Sequence, residues 1–186
     1  MENETNEVKK SGIRDSLYET VSVVITSIMI IAVVFTFGFR IIGVDGDSML
    51  DTLRTGDWLL VTHYYSTPEY GDIVISTKKT AAKGTLVKRV IAVAGDVVDI
   101  DENDNVYVNG EKLNDENFTR KDGVRRGDLS YPVTVPDGCV MLMGDNRIVS
   151  WDSRYSDIGF AEYEHLLGKA RFRLGKNANI YYNFNN

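Results

Sequence analysis

Ser48, in Gly46-Asp47-Ser48-Met49, and Lys88, in Leu86-Val87-Lys88-Arg89-Val90-Ile91, are the two residues whose types and settings best suit covalent chemistry. A serine hydroxyl is a poor nucleophile until a base removes its proton. The chain has two histidines that could do so. His63 lies in a strand-like apolar and aromatic run with Tyr64 and Tyr65, and His165 in a short polar helical piece. No flanking turn or orienting group marks either one, so both read more readily as structural residues. A lysine can serve instead if its pKa falls from about 10.4 to about 7–8, which burial among apolar groups achieves by disfavouring the ammonium. Such a fall costs about 4 kcal/mol, so a folded core must support it. Lys88 fits because its i±2 neighbours on a strand face are Leu86 and Val90. Lys78, Lys79 and Lys83 fall in a polar stretch and should stay solvated. On these residues alone a second reading stays open, an edge strand whose Lys88 and Arg89 reach water along their stems.

A third cluster, Gly144-Asp145-Asn146-Arg147 followed by Ser150, Asp152, Ser153 and Arg154, comes directly after the apolar run 139–143. Polar and charged residues crowded at a strand end suit a loop that lines a site. They equally suit a solvated turn held by its own Asp and Asn hydrogen bonds.

The elements that must position these residues divide the chain into three parts, residues 1–19, 20–39 and 40–186. Residues 1–19 are polar and charged and read as a short flexible tail. Residues 20–39 are uncharged and apolar between Glu19 and Arg40, and at ~1.5 Å per residue the run reaches about 30 Å, the hydrocarbon thickness of a bilayer. A cleavable leader has an apolar region of about 7–15 residues ending in small residues, whereas this run ends Phe37-Gly38-Phe39-Arg40. The expectation is a retained transmembrane helix. Lys9, Lys10 and Arg14 before it, against Arg40 and Arg54 after it, bias the N-terminus weakly toward the cytoplasm. Ser48 follows Phe39 by nine residues, at most about 30 Å of extended chain, so the serine stays close to the headgroups.

Past Arg40 the pattern becomes short β-type runs separated by Gly-Asp pairs. Residues 58–61, 72–75, 86–93, 97–100, 105–108, 131–135, 139–143 and 169–174 read as strands, and 179–184 as a terminal one. Asn109-Gly110 marks a type I′ hairpin turn. Residues 114–130 read as a surface insertion and 161–167 as a short helical turn. The fold class is therefore mostly β, a single transmembrane helix followed by a β-rich domain. The net charge of −6 argues against a nucleic-acid partner, and the lone Cys139 excludes an internal disulfide and a Cys-rich metal site. No ligand cluster calls for a metal or another cofactor.

The three clusters, in this order after an N-terminal anchor, resemble the type I signal peptidases, membrane-bound Ser-Lys peptidases, over the stretch from the anchor to about Arg173. Gly46-Asp47-Ser48-Met49 through Thr52-Leu53 resembles the family's nucleophile box, and Gly71-Asp72-Ile73-Val74 its second segment. Lys88-Arg89-Val90-Ile91 with Gly95-Asp96 resembles the lysine box, and Gly144 to Arg154 the final, most specific box. The resemblance implies Ser48 as nucleophile and Lys88 as base. It implies Ser150 as the residue that hydrogen-bonds the lysine amine, and Asp152 with Arg154 as a supporting ion pair. Gly46 would stand beside the oxyanion, and Met49 would pack by the site. The implied partners are signal peptides of secreted preproteins and membrane lipid, and the implied place is the extracytoplasmic side of the cell membrane in a short Gram-positive-like form.

Two departures stand out. Asp51 occupies the position where the family has proline, and Ala92 and Ala94 replace a glycine and a proline ahead of Gly95-Asp96. Asp51 removes a fixed φ near the nucleophile, and a nearby carboxylate favours protonated Lys88. It keeps open a specialised or non-catalytic homologue that binds secretory or pilus precursors. A self-cleaving repressor would share the Ser-Lys chemistry, but the apolar anchor and acidic balance count against it.

Overall fold

A computed structural model describes residues 2–63, 67–77, 84–113, 125–175 and 180–183. The chain separates into two compact units, Met1–Phe39 and Arg40–Asn186. The first unit is one helix, α1 (Glu2–Gly38). Its segment Ser16–Thr36 is long and apolar enough to cross a membrane. Ile25, Ile30 and Phe35 are exposed along it, while the hydroxyls of Thr20, Thr26, Ser27 and Thr36 each donate to the carbonyl four residues back. Those four side chains thus satisfy their donors without water. The helix begins at Glu2, so residues 2–19 continue the same helix as the apolar run. Propagating a helix into flanking residues such as Glu, Lys and Asn is far cheaper than nucleating one. At the other end Phe39 opens a strand instead of closing the helix.

The second unit is built on two antiparallel sheets. The larger has the order β1 (Phe39–Gly43), β2 (Trp58–Thr62), β11 (Leu166–Leu174), β3 (Ile73–Ser76), β4 (Leu86–Val93), β9 (Cys139–Met143), β10 (Ala161–Glu162), with β12 (Ile180–Asn183) also pairing β11. The smaller runs β7 (Glu111–Lys112), β6 (Val106–Val108), β5 (Val97–Ile100), β8 (Val133–Thr134). Among the described residues the chain is thus mostly β with an N-terminal apolar helix. Asn109 and Gly110, with φ of 53° and 83°, supply the two positive values of a type I′ turn between β6 and β7. Strand β8 is shorter than the run 131–135 because Pro132 and Pro136 flank it and lack ladder donors. Strand β11 starts at Leu166, and the expected helical turn is reduced to a 3-10 turn at Tyr163–His165 after β10. Residues 114–124 of the insertion lie outside the described residues, as do 179 and 184 of the terminal run.

Three buried clusters set the frame. Val44, Met49 and Leu53, from the segment between β1 and β2, pack with Leu59, Val61, Ile73, Ile75 and Ala170. Ile91, Met141 and Met143 of the large sheet pack against Val98, Ile100 and Val106 of the small one. Val74, Val90, Val140 and Leu142 pack with Ala161 and Leu166. Strand β2 alternates as a half-buried strand does: Trp58 is exposed, Leu59 and Val61 are buried. Leu59 is therefore a core residue. Replacing it with alanine should cost about 2–5 kcal/mol of unfolding free energy, read from the shift of the urea midpoint, and an unchanged midpoint would contradict this packing.

Candidate active site

Lys88 sits in the middle of β4, where its cross-strand partner is Val74, and two residues on Val90 faces Leu142. Those three apolar residues belong to one buried cluster, and Lys88 itself is 3% exposed. Its stem has no path to water of the kind an edge strand provides. Desolvation lowers its pKa from 10.5 to about 8, against the opposing pull of Asp152, with Arg154 lowering and Asp145 raising it by smaller amounts.

Ser48 is half-buried in the turn that links β1 to β2. The amine of Lys88 donates to Ser48 Oγ at 2.6 Å. The structure thus brings together two residues forty positions apart. The turn around the serine is anchored at several points. Met49 and Leu53 are sunk in the core, Gly46 N–H donates to Thr55 Oγ1 at 2.9 Å, and Arg173 Nη1 donates to the Thr52 carbonyl at 2.8 Å. Met49 is therefore a packing residue beneath the serine, and Gly46 an exposed turn residue with φ 96°.

The loop after β9 is held by two buried ion pairs and bonds this turn through Asp145 and Asn146. Arg89 grips Asp145 with Nε and Nη2 at 2.8 and 2.7 Å, and Thr52 Oγ1 donates to the same carboxylate at 2.5 Å. Arg154 grips Asp152 with Nε and Nη2, both at 2.8 Å, and its Nη1 donates to the carbonyls of Arg147 and Arg125. Gly144 N–H donates to Asp152 Oδ2 at 2.9 Å. Burial alone pushes the Asp152 carboxyl up, but the hydrogen bonds and charge of Arg154, with help from Ser150 and Gly144, hold it below the ordinary carboxylate range. Gly144 has no room for a side chain: a Cβ there would overlap both the Ser150 side chain and the Ser48 carbonyl. The absence of a side chain lets the loop and the serine turn touch.

Two expectations are corrected by this geometry. Ser150 is 2% exposed and its backbone N–H bonds the Asn146 carbonyl, but its Oγ makes no standard hydrogen bond to Lys88. Among the described residues the Ser150 Oγ is buried without a hydrogen-bond partner, and its side chain is one of the lesser influences that lower the Asp152 carboxyl. Asp51 is exposed and is absent from the charges acting on Lys88, which are Asp152, Arg154 and Asp145. Water screens a carboxylate at that surface position. The Leu50–Asp51 peptide is cis. His165 pairs with Glu162 at 2.9 Å, and His63 lies exposed past the end of β2. Asn146, Thr52 and Arg173 were not singled out as site residues from sequence. The contacts Thr52–Asp145, Asn146–Asp47 and Arg173–Thr52 span roughly a hundred residues; Thr52 and Asn146 fall inside the boxes read from sequence, whereas no sequence signal points to Arg173.

A desolvated amine aligned on a serine hydroxyl, inside a β domain, is chemical equipment for a hydrolase that works through a serine nucleophile. The chain belongs to the signal peptidase family, peptidase S26, which matches residues 17–175, and with it to the serine peptidases. It is 36% identical over 162 residues to signal peptidase I of Bacillus caldolyticus, covering 79% of this chain and 85% of the relative. It is 32% identical over 179 residues to a probable signal peptidase I-2 of Synechocystis, covering 92% and 79%. A crystal structure of a signal peptidase I from Enterococcus faecalis is 26% identical, with a TM-score of 0.45 over 57% of this chain and 98% of that one. The site loop yields one test independent of activity. Asp145→Ala removes the carboxylate held by Arg89 and Thr52 and should cost about 3–5 kcal/mol in chemical denaturation, whereas a loss under 1 kcal/mol would show that the pair does not hold the loop.

Proposed function

We propose that this chain is a membrane-anchored endopeptidase that removes N-terminal signal peptides from secreted preproteins with Ser48 as nucleophile and Lys88 as general base. The observation that carries the reading is the 2.6 Å contact between Ser48 Oγ and a lysine amine whose pKa lies at about 8. At neutral pH about a tenth of such an amine is free base, and the pKa is close enough to working pH for efficient proton transfer. The neutral amine accepts the serine proton as Oγ attacks the scissile carbonyl. The protonated amine then returns the proton to the leaving nitrogen, giving an acyl-enzyme that water hydrolyses. The negative charge on the carbonyl oxygen is met by the backbone N–H of Ser48, a type of donor whose loss costs ~10²–10³ in rate. Gly46 borders that oxygen, and Asp152 with Arg154 supports the loop without taking part in bond making.

The substrate reading follows from the family and from the β architecture. An extended peptide adds to a strand edge through main-chain hydrogen bonds, with alternate side chains entering shallow pockets. Small residues ahead of the cut, in the A-x-A pattern, suit such pockets because larger groups are excluded. The helical segment Ser16–Thr36 serves as a single-pass anchor, with the N-terminus in the cytoplasm, the β domain on the extracytoplasmic side, and lipid as its surroundings. The reading requires no metal, no other cofactor and no nucleic acid.

Detergent-purified chain should cleave a model preprotein at its A-x-A site, and Ser48→Ala and Lys88→Ala should each abolish cleavage while the β domain stays folded by circular dichroism. Substantial residual cleavage in either variant would overturn the assignment of the pair. The reactive form is the neutral amine, so kcat/KM should fall about tenfold per pH unit below about 8 and level off above it. A profile that is flat from pH 6 to 9 would contradict lysine as the base.

A further inference from the structure

Asn146 makes two hydrogen bonds that the proton-transfer chemistry does not use. Its backbone N–H donates to the Ser48 carbonyl at 3.0 Å, and its side-chain Nδ2 donates to the Asp47 carbonyl at 3.1 Å. The residue is 3% exposed. Opposite a carbonyl oxygen only the NH₂ end of a carboxamide can bond, so the orientation of this amide is dictated by its partner. One residue of the loop after β9 therefore holds two successive carbonyls of the nucleophile turn, across ninety-nine positions of sequence.

The consequence lies in the peptide plane between Asp47 and Ser48. That peptide is trans, and in a planar trans peptide the C=O and the following N–H point in opposite directions. Fixing the Asp47 carbonyl on Asn146 thereby fixes the direction of the Ser48 N–H. Leu50 N–H bonds the same carbonyl at 3.2 Å and braces the plane from within the turn. Among the described residues the Ser48 N–H has no acceptor, which leaves it available to a ligand. Lys88 touches only the side-chain oxygen of Ser48, so the hydroxyl and the backbone N–H of one residue are aimed by different partners.

We infer that Asn146 is a positioning residue that aims the Ser48 backbone N–H at the oxyanion formed during peptide cleavage. The inference rests on the reading of Ser48 as the nucleophile. Misaiming one donor lowers the stabilisation of the transition state without altering how the substrate docks or how the lysine titrates.

The test uses the full chain in detergent, with Asn146→Ala and Asn146→Leu beside the wild type. The leucine variant keeps the branched shape and removes the donor without adding a charge, so it serves if the alanine variant loses its fold. Expected is a fall in kcat of about 10–10²-fold with KM within about twofold. The pH midpoint near 8 should stay where it is. A peptide aldehyde ending in alanine, which forms a tetrahedral adduct with its own oxyanion, should lose affinity by the same factor as kcat, while the matching uncleavable peptide amide binds unchanged. An active wild type whose folded Asn146 variants keep full kcat overturns this inference alone. So does a loss that moves the pH midpoint, or one that weakens aldehyde and amide equally. A wild type that neither cleaves nor binds the aldehyde overturns the nucleophile reading and this inference with it.

Discussion

Keeping one ammonium group out of water is the constraint on which the rest of this site depends. Moving the Lys88 pKa from 10.5 to about 8 corresponds to about 3 kcal/mol. The sign follows from proton binding: between about 8 and 10.5 the unfolded chain holds this proton and the folded one does not, so this term weakens the fold below that window and fades as pH rises through it. The cost is borne by the apolar cluster of Val74, Val90 and Leu142 around β4 and by the ladder of the large sheet. The two ion pairs beside it are arranged so as not to undo the effect. Asp152 and Asp145 pull the lysine toward its charged form, but each is gripped by an arginine of its own, and Arg154 pushes the other way. Desolvation is left as the largest influence on the amine.

Those buried pairs also explain how a turn without the family's usual proline can present its serine. The turn is held from outside, by Asn146 on the carbonyls of Asp47 and Ser48, by the Thr52 hydroxyl on Asp145, and by Arg173 on the Thr52 carbonyl. Its apolar residues Met49 and Leu53 are fixed in the core at the same time. External clamps of this kind can replace local backbone restriction, provided that the clamping loop is itself rigid. Arg89–Asp145 and Arg154–Asp152 supply that rigidity, and Gly144 supplies the close approach.

Much of the architecture was legible because β-branched runs and Gly-Asp or Asn-Gly turns are local signals. The hairpin at Asn109-Gly110 and the strands around Ile73, Lys88 and Cys139 fall in this class. What was not legible depended on tertiary context. The helix extends through polar residues from Glu2, since a long apolar segment nucleates it. The run 161–167 resolves into strand and 3-10 turn because it pairs with β9 and β3. Spacing could suggest that Ser150 points inward, but not that its Oγ is buried without a hydrogen-bond partner among the described residues, which packing decides. Likewise Asp51 stands three residues from Ser48 in sequence, which suggests a charge that reaches the lysine, whereas its exposure removes it from the set that acts on the amine.

The claim that the site is organised around a lysine titrating near neutrality is tested most directly by measuring that titration. The chain carrying ¹³C,¹⁵N-labelled lysine, compared with a Lys88→Arg variant to assign the signal, would be followed by NMR from pH 6 to 11. The account predicts a Lys88 Nζ transition at about 8, well separated from the solvated lysines. A transition at 10 or above would mean that the amine is charged throughout the working range, and the account of Lys88 as a proton acceptor would be wrong.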